Sequence, residues 1–333
     1  MKIVIADYPE LLMPTHDLEK ARLLKGLGED TEIVVYEYAD ARREEFLNLM
    51  ADADALLAGF IPIDDAAMAR MPKLKIISIN ATGYNVVDLE AANRRRIAVC
   101  PVGEYCTIDV AEHTIAMMLS LVKNLKAYSN AIDRRHFWDY QVVAPNQRIK
   151  DMTLGIFGLG KIGTSVAMRA RALGMRVIAY DKYVNHIYAE RFYVHLTDDP
   201  GEIFEQADVI CNHMMQTEEN RDFFNMAAFR RMKKRPYLIN AGRGAAVVEE
   251  DLLAALDAGL LRGAGLDVLR DEHPDALARN PLVDRDNVII TPHSAFYSTS
   301  ALEDLQIISS DNIVHYLLGA PEKVFKLVTT FDV

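Results

Sequence analysis

LGIFGLGKIGTSVAMRARALGMRVIAYD, residues Leu154 to Asp181, is the stretch that decides the fold. An apolar run ends in Gly158, Gly160 and Gly163, a helical apolar pattern follows, and a second apolar run stops at the aspartate. This order of strand, glycine turn, helix and strand is that of a βαβ unit. The glycines permit a tight turn, close approach of backbone N–H groups to a pyrophosphate, and close packing of the helix on the strand. We therefore predict a dinucleotide-binding site at this loop.

The acidic residue that ends the second apolar run indicates which dinucleotide is bound. Asp181 lies one helix beyond the last glycine, near the spacing of roughly 20 residues expected of a carboxylate that binds a ribose 2′-hydroxyl. A carboxylate at this position repels a 2′-phosphate, so the sequence favours NAD over NADP. Lys182 follows directly, and its positive charge weakens that preference.

Length and composition limit the classes of function. A chain of 333 residues suggests two domains, at a prior of about 150 residues per domain. The formal net charge of −11 argues against a nucleic-acid partner, which requires clustered Lys and Arg side chains. Three cysteines without paired or metal-ligand spacing indicate a reducing cytoplasm and no metal site. Neither a signal peptide nor a membrane-spanning apolar run is evident, so we expect a cytoplasmic protein without a membrane partner.

Apolar, β-branched runs recur in residues 1–102, with helical patterns between them. This alternation predicts a parallel sheet flanked by helices. No phosphate-type glycine loop occurs in this part of the chain, so we expect it to form the substrate side. The runs are Ile3–Ala6, Ile33–Val35, Ala55–Ala58, Ile76–Ile79 and Ala98–Val99.

The segment Asp109–Leu125 is apolar on nearly all sides. Such a helix must be buried, and it can serve as an interdomain spine, a subunit interface or both. His113 within it is interpreted as a core residue whose polar atoms are satisfied. The charged and aromatic residues 133–148 follow, with the only tryptophan, Trp138, and they are interpreted as a surface excursion.

Further strand patterns follow the βαβ unit. With the two strands of that unit they make six, the number of a complete dinucleotide-binding sheet. The last helical pattern, Ala301–Leu318, begins after these strands, and we expect it to return to the first domain. The four later strands are Asp208–Cys211, Tyr237–Asn240, Gly265–Val268 and Val288–Ile290.

Three polar clusters follow strands of the second sheet, where open α/β sheets bind ligands. In the first, Arg243 lies between two glycines. Its planar guanidinium suits two-point binding of a carboxylate and an adjacent carbonyl, although pairing across an interface is an alternative. The second cluster is 266–274. The third is 291–297 and contains His293, a natural proton donor near neutral pH, whose pKa a neighbouring carboxylate would raise.

Together these motifs resemble the D-isomer-specific 2-hydroxyacid dehydrogenase family over nearly the whole chain. The resemblance implies an α/β protein with two Rossmann-like, doubly wound domains. A flavodoxin-like substrate domain comes from residues 1–102 and 298–333, and an NAD-binding domain, 103–297, is inserted in it. A homodimer is also implied. The motifs are ATGYNVVD at 81–88, AEH at 111–113, LGIFGLGKIG at 154–163, INAGRG at 239–244, LDV at 266–268 and TPH at 291–293.

The family's catalytic set of arginine, glutamate and histidine corresponds to Arg243, Glu272 and His293. Asp271 and His273 flank the glutamate and compete for its assignment. The family usually places its glutamate directly before a proline, whereas in this chain one histidine intervenes. Distance from the arginine favours Glu272.

The resemblance also implies a set of residues that bind NAD. Asp267 is expected to contact the nicotinamide carboxamide. The family typically has His-x-Pro after its third cofactor strand, whereas this chain has His213-Met214-Met215. We interpret this histidine as framework beside the cofactor, not as a second acid. The implied cofactor residues are Gly158, Gly160, Lys161, Ile162, Gly163, Asp181, His213, Ala241 and Asp267.

Two motifs bear on the size of the substrate, and they point to different branches of the family. Residues 291–297, TPHSAFY, look like the D-lactate and D-2-hydroxyisocaproate dehydrogenase branch, while ATGYN also occurs in hydroxypyruvate and glycerate reductases. We expect a 2-oxo acid with a small or apolar side chain. The aromatic residues of the set would line its pocket, or else form aromatic core. The implied substrate residues are Thr82, Gly83, Tyr105, Phe296 and Tyr297.

The predicted reaction is the reversible, NAD-dependent reduction of a 2-oxo acid to a D-2-hydroxy acid. NADH supplies the hydride, His293 the proton, and Arg243 holds the substrate carboxylate. Glu272 argues against formate dehydrogenases, which carry glutamine there, and Thr82 argues against phosphite dehydrogenases, which carry lysine in that segment. Two alternatives stay open: a hydroxypyruvate or glycerate reductase, and an NAD(H)-sensing binding protein like the C-terminal-binding corepressors, which share the fold and the catalytic set.

Overall fold

The chain forms two compact units in a computed structural model that describes residues 1–331. One unit comprises Met1–Cys106 and residues 298–331, and the other comprises Thr107–Tyr297. The chain passes from the first unit to the second after Cys106, slightly beyond the boundary at residue 102 that the sequence predicts. Val102 donates its N–H to the carbonyl of Ile79 at 3.2 Å, which ties residue 102 to the first sheet.

The first unit is built on a five-stranded parallel sheet of order β2-β1-β3-β4-β5, the flavodoxin-like order. Its central strands are buried and mostly apolar because helices cover both faces. Its strands are β1 Lys2–Asp7, β2 Glu32–Glu37, β3 Ala55–Ala58, β4 Ile76–Ile79 and β5 Ala98–Pro101. Its helices are α1 Asp17–Leu27, α2 Arg43–Met50, α3 Asp65–Ala69, α4 Leu89–Arg95 and α13 Thr299–Leu317.

The last helix joins the first unit through polar contacts as well as apolar ones. Arg22 on α1 forms two hydrogen bonds with Asp311 on α13, at 2.9 and 2.5 Å. Ser78 on β4 donates its hydroxyl to the carbonyl of Ser309 at 2.8 Å. Residues from both chain ends therefore complete one core.

The second unit is built on a seven-stranded parallel sheet of order β12-β11-β10-β9-β6-β7-β8. The strand order reverses between β6 and β9, which creates the switch point at which such sheets bind ligands. Its strands are β6 Thr153–Phe157, β7 Arg176–Tyr180, β8 His195–Thr197, β9 Val209–Asn212, β10 Tyr237–Asn240, β11 Gly263–Leu266 and β12 Val288–Ile290. Its helices are α5 Thr107–Val122, α6 Leu125–Arg135, α7 Lys161–Ala172, α8 His186–Glu190, α9 Pro200–Gln206, α10 Met226–Arg231, α11 Glu249–Asp257 and α12 Pro274–Leu277.

Two details of this sheet differ from the sequence prediction. The six-strand count was wrong, because β8 is a seventh strand at the sheet edge and has only three residues, too few to form an apolar run. Strand β11 ends at Leu266, earlier than predicted. Asp267 and Val268 therefore lie just beyond the strand, at the edge where ligands bind.

The apolar helix predicted at Asp109–Leu125 is two helices. Helix α5 ends at Val122, and Asn124 takes a left-handed conformation, with φ 53°, before α6 begins. The apolar side chains of α5 belong to the core of the second unit. A Cβ on Gly265 would lie 3.1 Å from Sδ of Met117, so glycine on β11 allows α5 to pack closely on the sheet.

The segment after α6 lies on the surface, as its composition predicts. Trp138 is 90% exposed, Tyr140 is 78% exposed, and a short 3₁₀ turn spans Tyr140–Val142. Among residues 1–331, no helix combines the length and apolar character needed to cross a membrane.

Candidate active site

The glycine loop after β6 is fixed by close backbone contacts. Gly158 has φ +91°, and a Cβ on it would lie 2.8 Å from backbone atoms of His213 and Met214 beyond β9. A Cβ on Gly163 would collide with the carbonyl oxygen of Gly158. Both positions therefore require glycine. By contrast, no described atom lies within 4 Å of a Cβ placed on Gly160, so this part of the loop faces open space.

Helix α7 starts directly at that open space. Gly160 is its N-cap residue and supplies no side-chain hydrogen bond to the first turn. The first-turn residues Lys161, Ile162 and Gly163 direct their N–H groups, with the positive end of the helix dipole, toward the loop. An anion is stabilised at such a helix end. The loop and helix therefore fit the pyrophosphate of a dinucleotide.

Asp181 connects the end of β7 to the glycine loop. Its Oδ2 accepts the N–H of Leu159 at 2.7 Å, and its Oδ1 accepts those of Tyr183 and Val184 at 2.8 and 3.1 Å. A carboxylate offers about four acceptor sites, so one stays available for a ribose hydroxyl.

The cation beside Asp181 has a partner of its own. Nζ of Lys182 lies 2.6 Å from Oε2 of Glu219 in the loop after β9. Because this carboxylate offsets the charge of the lysine, Lys182 detracts less from the preference for NAD than the sequence suggests.

Two buried asparagines hold the loop that carries Arg243. Nδ2 of Asn212 on β9 donates to Oδ1 of Asn240 on β10 at 2.9 Å, and both residues are fully buried. Asn240 also accepts the N–H of Gly242 at 3.2 Å and donates to the carbonyl of Arg243 at 3.0 Å. This role of Asn212 was not predicted from the sequence, although an asparagine that ends a buried apolar strand is a recognisable signal.

Close packing also joins the loops that follow β10 and β11. A Cβ on Gly244 would collide with the carbonyl of Leu269, so the loops touch only because this residue is glycine. Arg243 itself is exposed, and its Nη1 donates to the carbonyl of Gly242 at 2.8 Å. Arg270 donates to the carbonyl of Val247 at 2.6 Å, which anchors the β11 loop from the other side.

The β11 loop brings Glu272 to His293. Oε2 of Glu272 lies 3.0 Å from Nδ1 of His293, and its Oε1 accepts the N–H of Leu269 at 3.3 Å. Of the two competing neighbours, Asp271 accepts the N–H of His273 at 3.0 Å, and His273 caps α12. Glu272 is therefore the residue of this trio that contacts the histidine.

The two members of this pair shift each other's pKa in opposite directions. The hydrogen bond to Glu272 is the largest cause that raises the pKa of His293; the charge of Asp267 adds to it, and burial and Arg243 oppose it. Burial raises the pKa of Glu272, but the hydrogen bond and charge of His293, the N–H of Leu269 and the charge of Arg243 together outweigh burial and lower it. The pair therefore favours a carboxylate beside a protonated imidazole.

His293 is held in an unusual backbone conformation. Its φ is +51°, in the left-handed region that costs a residue other than glycine about 1–2 kcal/mol. Its N–H donates to the carbonyl of Asp267 at 2.8 Å. Contacts with the β11 loop thus compensate for the backbone strain at His293.

His213 differs from His293 in its burial, its hydrogen bonding and the direction of its pKa shift. Both of its ring nitrogens are buried and without a hydrogen-bond partner among the described residues. Burial lowers the pKa of His213 to about 4, so the ring is neutral near pH 7. This supports its interpretation as framework and not as an acid.

His113 is not the simple core residue that the sequence predicts. Its side chain is 24% exposed, and its Nε2 lies 3.0 Å from Oγ1 of Thr291 and 3.6 Å from Oδ1 of Asp267. Helix α5 thus contributes a polar side chain to the same edge of the sheet. The partners lie far along the chain, and sequence spacing therefore gave no signal of this contact.

The remaining predicted residues fall into two groups. Ala241 lies in the β10 loop, Phe296 is half-buried and Tyr297 is 67% exposed, all in the second unit. The rings of the last two meet edge to face at 6.1 Å. Thr82 and Gly83 are exposed, and Tyr105 is half-buried, in the first unit.

A dinucleotide-binding sheet with an imidazole–carboxylate pair at its ligand-binding edge defines a class of protein. The glycine loop and the uncapped helix accept the phosphates, and the histidine can hold or release a proton near neutral pH. These features together are those of a nicotinamide-dependent oxidoreductase.

Comparison with known proteins gives the family within this class. Residues 115–295 match the sequence model described as "D-isomer specific 2-hydroxyacid dehydrogenase, NAD binding domain". The chain is 31% identical over 335 residues to a hydroxypyruvate reductase from Blautia hydrogenotrophica, covering 97% of this chain and 99% of that one. It is 33% identical over 291 residues to a glycerate dehydrogenase from Methylorubrum extorquens, covering 84% and 88%.

The structure agrees with these sequence matches. A D-lactate dehydrogenase from Aquifex aeolicus, solved with NAD and lactic acid, has a TM-score of 0.83 and 27% identity, covering 99% of this chain and 100% of that one. The chain belongs to the D-isomer-specific 2-hydroxyacid dehydrogenase family, and it is an NAD-dependent oxidoreductase.

Proposed function

We propose that the protein reduces a 2-oxo acid to a D-2-hydroxy acid with NADH, in a reversible reaction. The observation that carries this proposal is the 3.0 Å contact between Nδ1 of His293 and Oε2 of Glu272. It leaves Nε2 of the imidazole to face a substrate, while the carboxylate favours the protonated ring. The family membership supports the same reaction class.

Each residue of the site has a distinct task in this proposal. Bound NADH supplies the hydride that forms the new C–H bond at the carbonyl carbon. His293 transfers a proton from Nε2 to the carbonyl oxygen, which becomes the hydroxyl, and Glu272 stabilises the imidazolium beforehand. Arg243 pairs with the substrate carboxylate in two-point fashion. Positioning and proton transfer are separate contributions, and the latter is worth roughly 10²–10⁴-fold.

The cofactor residues are proposed as the sequence motifs indicate. Gly158, Gly160 and the first turn of α7 would hold the pyrophosphate, and Asp181 would bind the adenine-side ribose. Asp267 would accept a hydrogen bond from the nicotinamide carboxamide. In support, these groups lie along one edge of the sheet, around its switch point.

For the substrate we propose a 2-oxo acid with a small side chain, bound with the help of Thr82, Gly83, Tyr105, Phe296 and Tyr297. The names of the relatives span this range, from D-lactate dehydrogenase to hydroxypyruvate reductase and glycerate dehydrogenase. We also propose that the unit built from both chain ends is the substrate domain and that the central unit is the NAD-binding domain.

The direct test is NADH oxidation with a panel of 2-oxo acids: pyruvate, hydroxypyruvate, 2-oxoisocaproate, phenylpyruvate and oxaloacetate. We expect the highest kcat/KM with pyruvate or hydroxypyruvate, and a product of D configuration. Tight NADH binding without turnover of any member would contradict the proposal and favour the NAD(H)-sensing binding protein.

We further propose a cytoplasmic homodimer. The exposed aromatic residues Phe137, Trp138 and Tyr140 support an interface at the segment after α6, because large exposed apolar side chains are typical of association surfaces. Among residues 1–331, Cys100, Cys106 and Cys211 form no disulfide and all three are buried, in keeping with a reducing compartment. Light scattering of the purified chain gives its oligomeric state, and a monomer would refute the dimer.

A further inference from the structure

A buried carboxylate lies behind the catalytic pair. Asp267 is 2% exposed and comes directly after β11. Its Oδ1 lies 2.6 Å from the Thr291 hydroxyl and accepts the N–H of Ser294 at 2.9 Å, while its Oδ2 accepts the N–H of Ala295 at 3.0 Å. A buried charge is tolerated only when its acceptor sites are satisfied in this way.

The direction of these hydrogen bonds determines which atom of His113 carries a proton. A carboxylate can only accept, so the single proton of the Thr291 hydroxyl points to Asp267. The hydroxyl oxygen is then an acceptor toward the Nε2 atom 3.0 Å away, and Nε2 of His113 must bear hydrogen. The result is a directed series of hydrogen bonds in which His113 donates to Thr291 and Thr291 donates to Asp267.

These hydrogen bonds hold Asp267 in place, and Asp267 in turn holds the segment that carries His293. The side chain of Asp267 accepts the N–H groups of residues 294 and 295, and its backbone carbonyl accepts that of His293. A left-handed residue such as His293 persists only when its surroundings restrain it. Rotation of the aspartate side chain would release two backbone N–H groups at once, those of Ser294 and Ala295.

We propose that His113 is a positioning residue of the active site, which acts through Thr291 to fix the carboxylate of Asp267 and thereby the segment that carries His293. This rests on the proposed function, in which His293 supplies the proton and Asp267 faces the nicotinamide. A histidine that only filled space in the core would not need a proton on Nε2 or the threonine hydroxyl.

The test is a double-mutant cycle of His113→Leu and Thr291→Val, with NADH affinity measured by fluorescence and kcat measured with the best 2-oxo acid. We expect each single variant to weaken NADH binding and lower kcat by roughly tenfold, since misplacing a reacting group by 1 Å can cost about 10²-fold. The double variant should be no worse than the worse single variant. Additive losses would show that the histidine does not act through Thr291 and would overturn the proposal.

Two further variants separate positioning from packing. His113→Gln retains a donor and should restore NADH affinity and kcat to near wild-type values, and a loss equal to that of His113→Leu would contradict the proposal. Glu112→Gln is the matched control on the same helix, because Glu112 is exposed and pairs with Arg169. It should leave both quantities unchanged.

The tautomer can be observed without turnover or a soluble leucine variant. In the [¹⁵N]histidine-labelled wild-type protein, the His113 signal, assigned by its loss in His113→Gln, should show a protonated Nε2. A bare Nε2 would overturn the proposal. If the wild type turns over no 2-oxo acid while Nε2 is protonated and the NADH affinities are non-additive, the proposed function fails and the positioning role stands.

Discussion

The glycine loop and the His293 segment lie at the same edge of one sheet, but different atoms set their geometry. At the loop, backbone meets backbone: Gly158 lies against His213, and Gly163 lies against the carbonyl of Gly158. At the histidine, side chains do this work, through Glu272 and Asp267. Substitutions at the loop should therefore act through steric fit, whereas those at the histidine should act through charge and the proton.

The largest expected effect is that of His293→Gln on turnover. Glutamine is similar in size but supplies no acidic proton, so kcat for 2-oxo acid reduction should fall by roughly 10²–10⁴-fold. NADH affinity should stay nearly unchanged, because the backbone contacts that set the glycine loop do not involve His293. Stopped-flow turnover and fluorescence titration measure the two quantities. Near-normal turnover would remove His293 from the proton-donor role.

An intermediate effect is expected at the glycine loop, where two neighbouring positions should respond differently. Gly163→Ala forces a Cβ onto the carbonyl of Gly158, and such overpacking typically lowers the free energy of unfolding by about 1–3 kcal/mol. Gly160→Ala meets open space, so it should leave stability unchanged and weaken NADH binding only.

Denaturant unfolding and NADH titration of both alanine variants provide the check. Equal stability losses would show that Gly160 is also packed by protein. Unchanged NADH affinity in Gly160→Ala would show that the pyrophosphate lies elsewhere.

The smallest expected effect concerns the choice of cofactor. Asp181→Ser removes the carboxylate that repels a 2′-phosphate, so the ratio of kcat/KM for NADH to that for NADPH should fall by roughly tenfold, or about 1.4 kcal/mol. Activity with NADH should also decline, because Leu159 loses its acceptor. Asp198→Ser, at an exposed acidic residue, serves as control. An unchanged ratio would rule out Asp181 as the ribose ligand.

Much of the loop could be predicted from sequence because its requirements are local. Gly158, Gly160 and Gly163 lie in one short loop. A Cβ at the first or the third would collide with backbone atoms, and the second leaves open space beside the loop. The parallel sheets were likewise predictable, since buried strands are continuous apolar runs. The edge strand His195–Thr197 was not, because three residues form no pattern.

The side-chain network near His293 could be predicted only in part. Glu272 was predicted from the resemblance to a family. The structure distinguishes it from Asp271 and His273 by its contact with His293. His113 and Thr291 meet across a separation of 178 residues, and Asn212 and Asn240 across 28. Hydrogen bonds between residues so far apart in sequence depend on how whole strands and helices pack together, which the spacing of residues along the sequence does not reveal.

The central claim is that Glu272 keeps His293 protonated for the reduction. The pH dependence of kcat/KM in both directions, for the wild type and Glu272→Gln, tests it most directly, with Asp271→Asn as a neighbouring control. Reduction should be lost as pH rises through the raised pKa of His293, and oxidation should be lost as pH falls through it. Without the carboxylate that pKa falls, so both limbs should move to lower pH in Glu272→Gln and stay in place in Asp271→Asn. Limbs at the same pH in the wild type and Glu272→Gln would contradict the account.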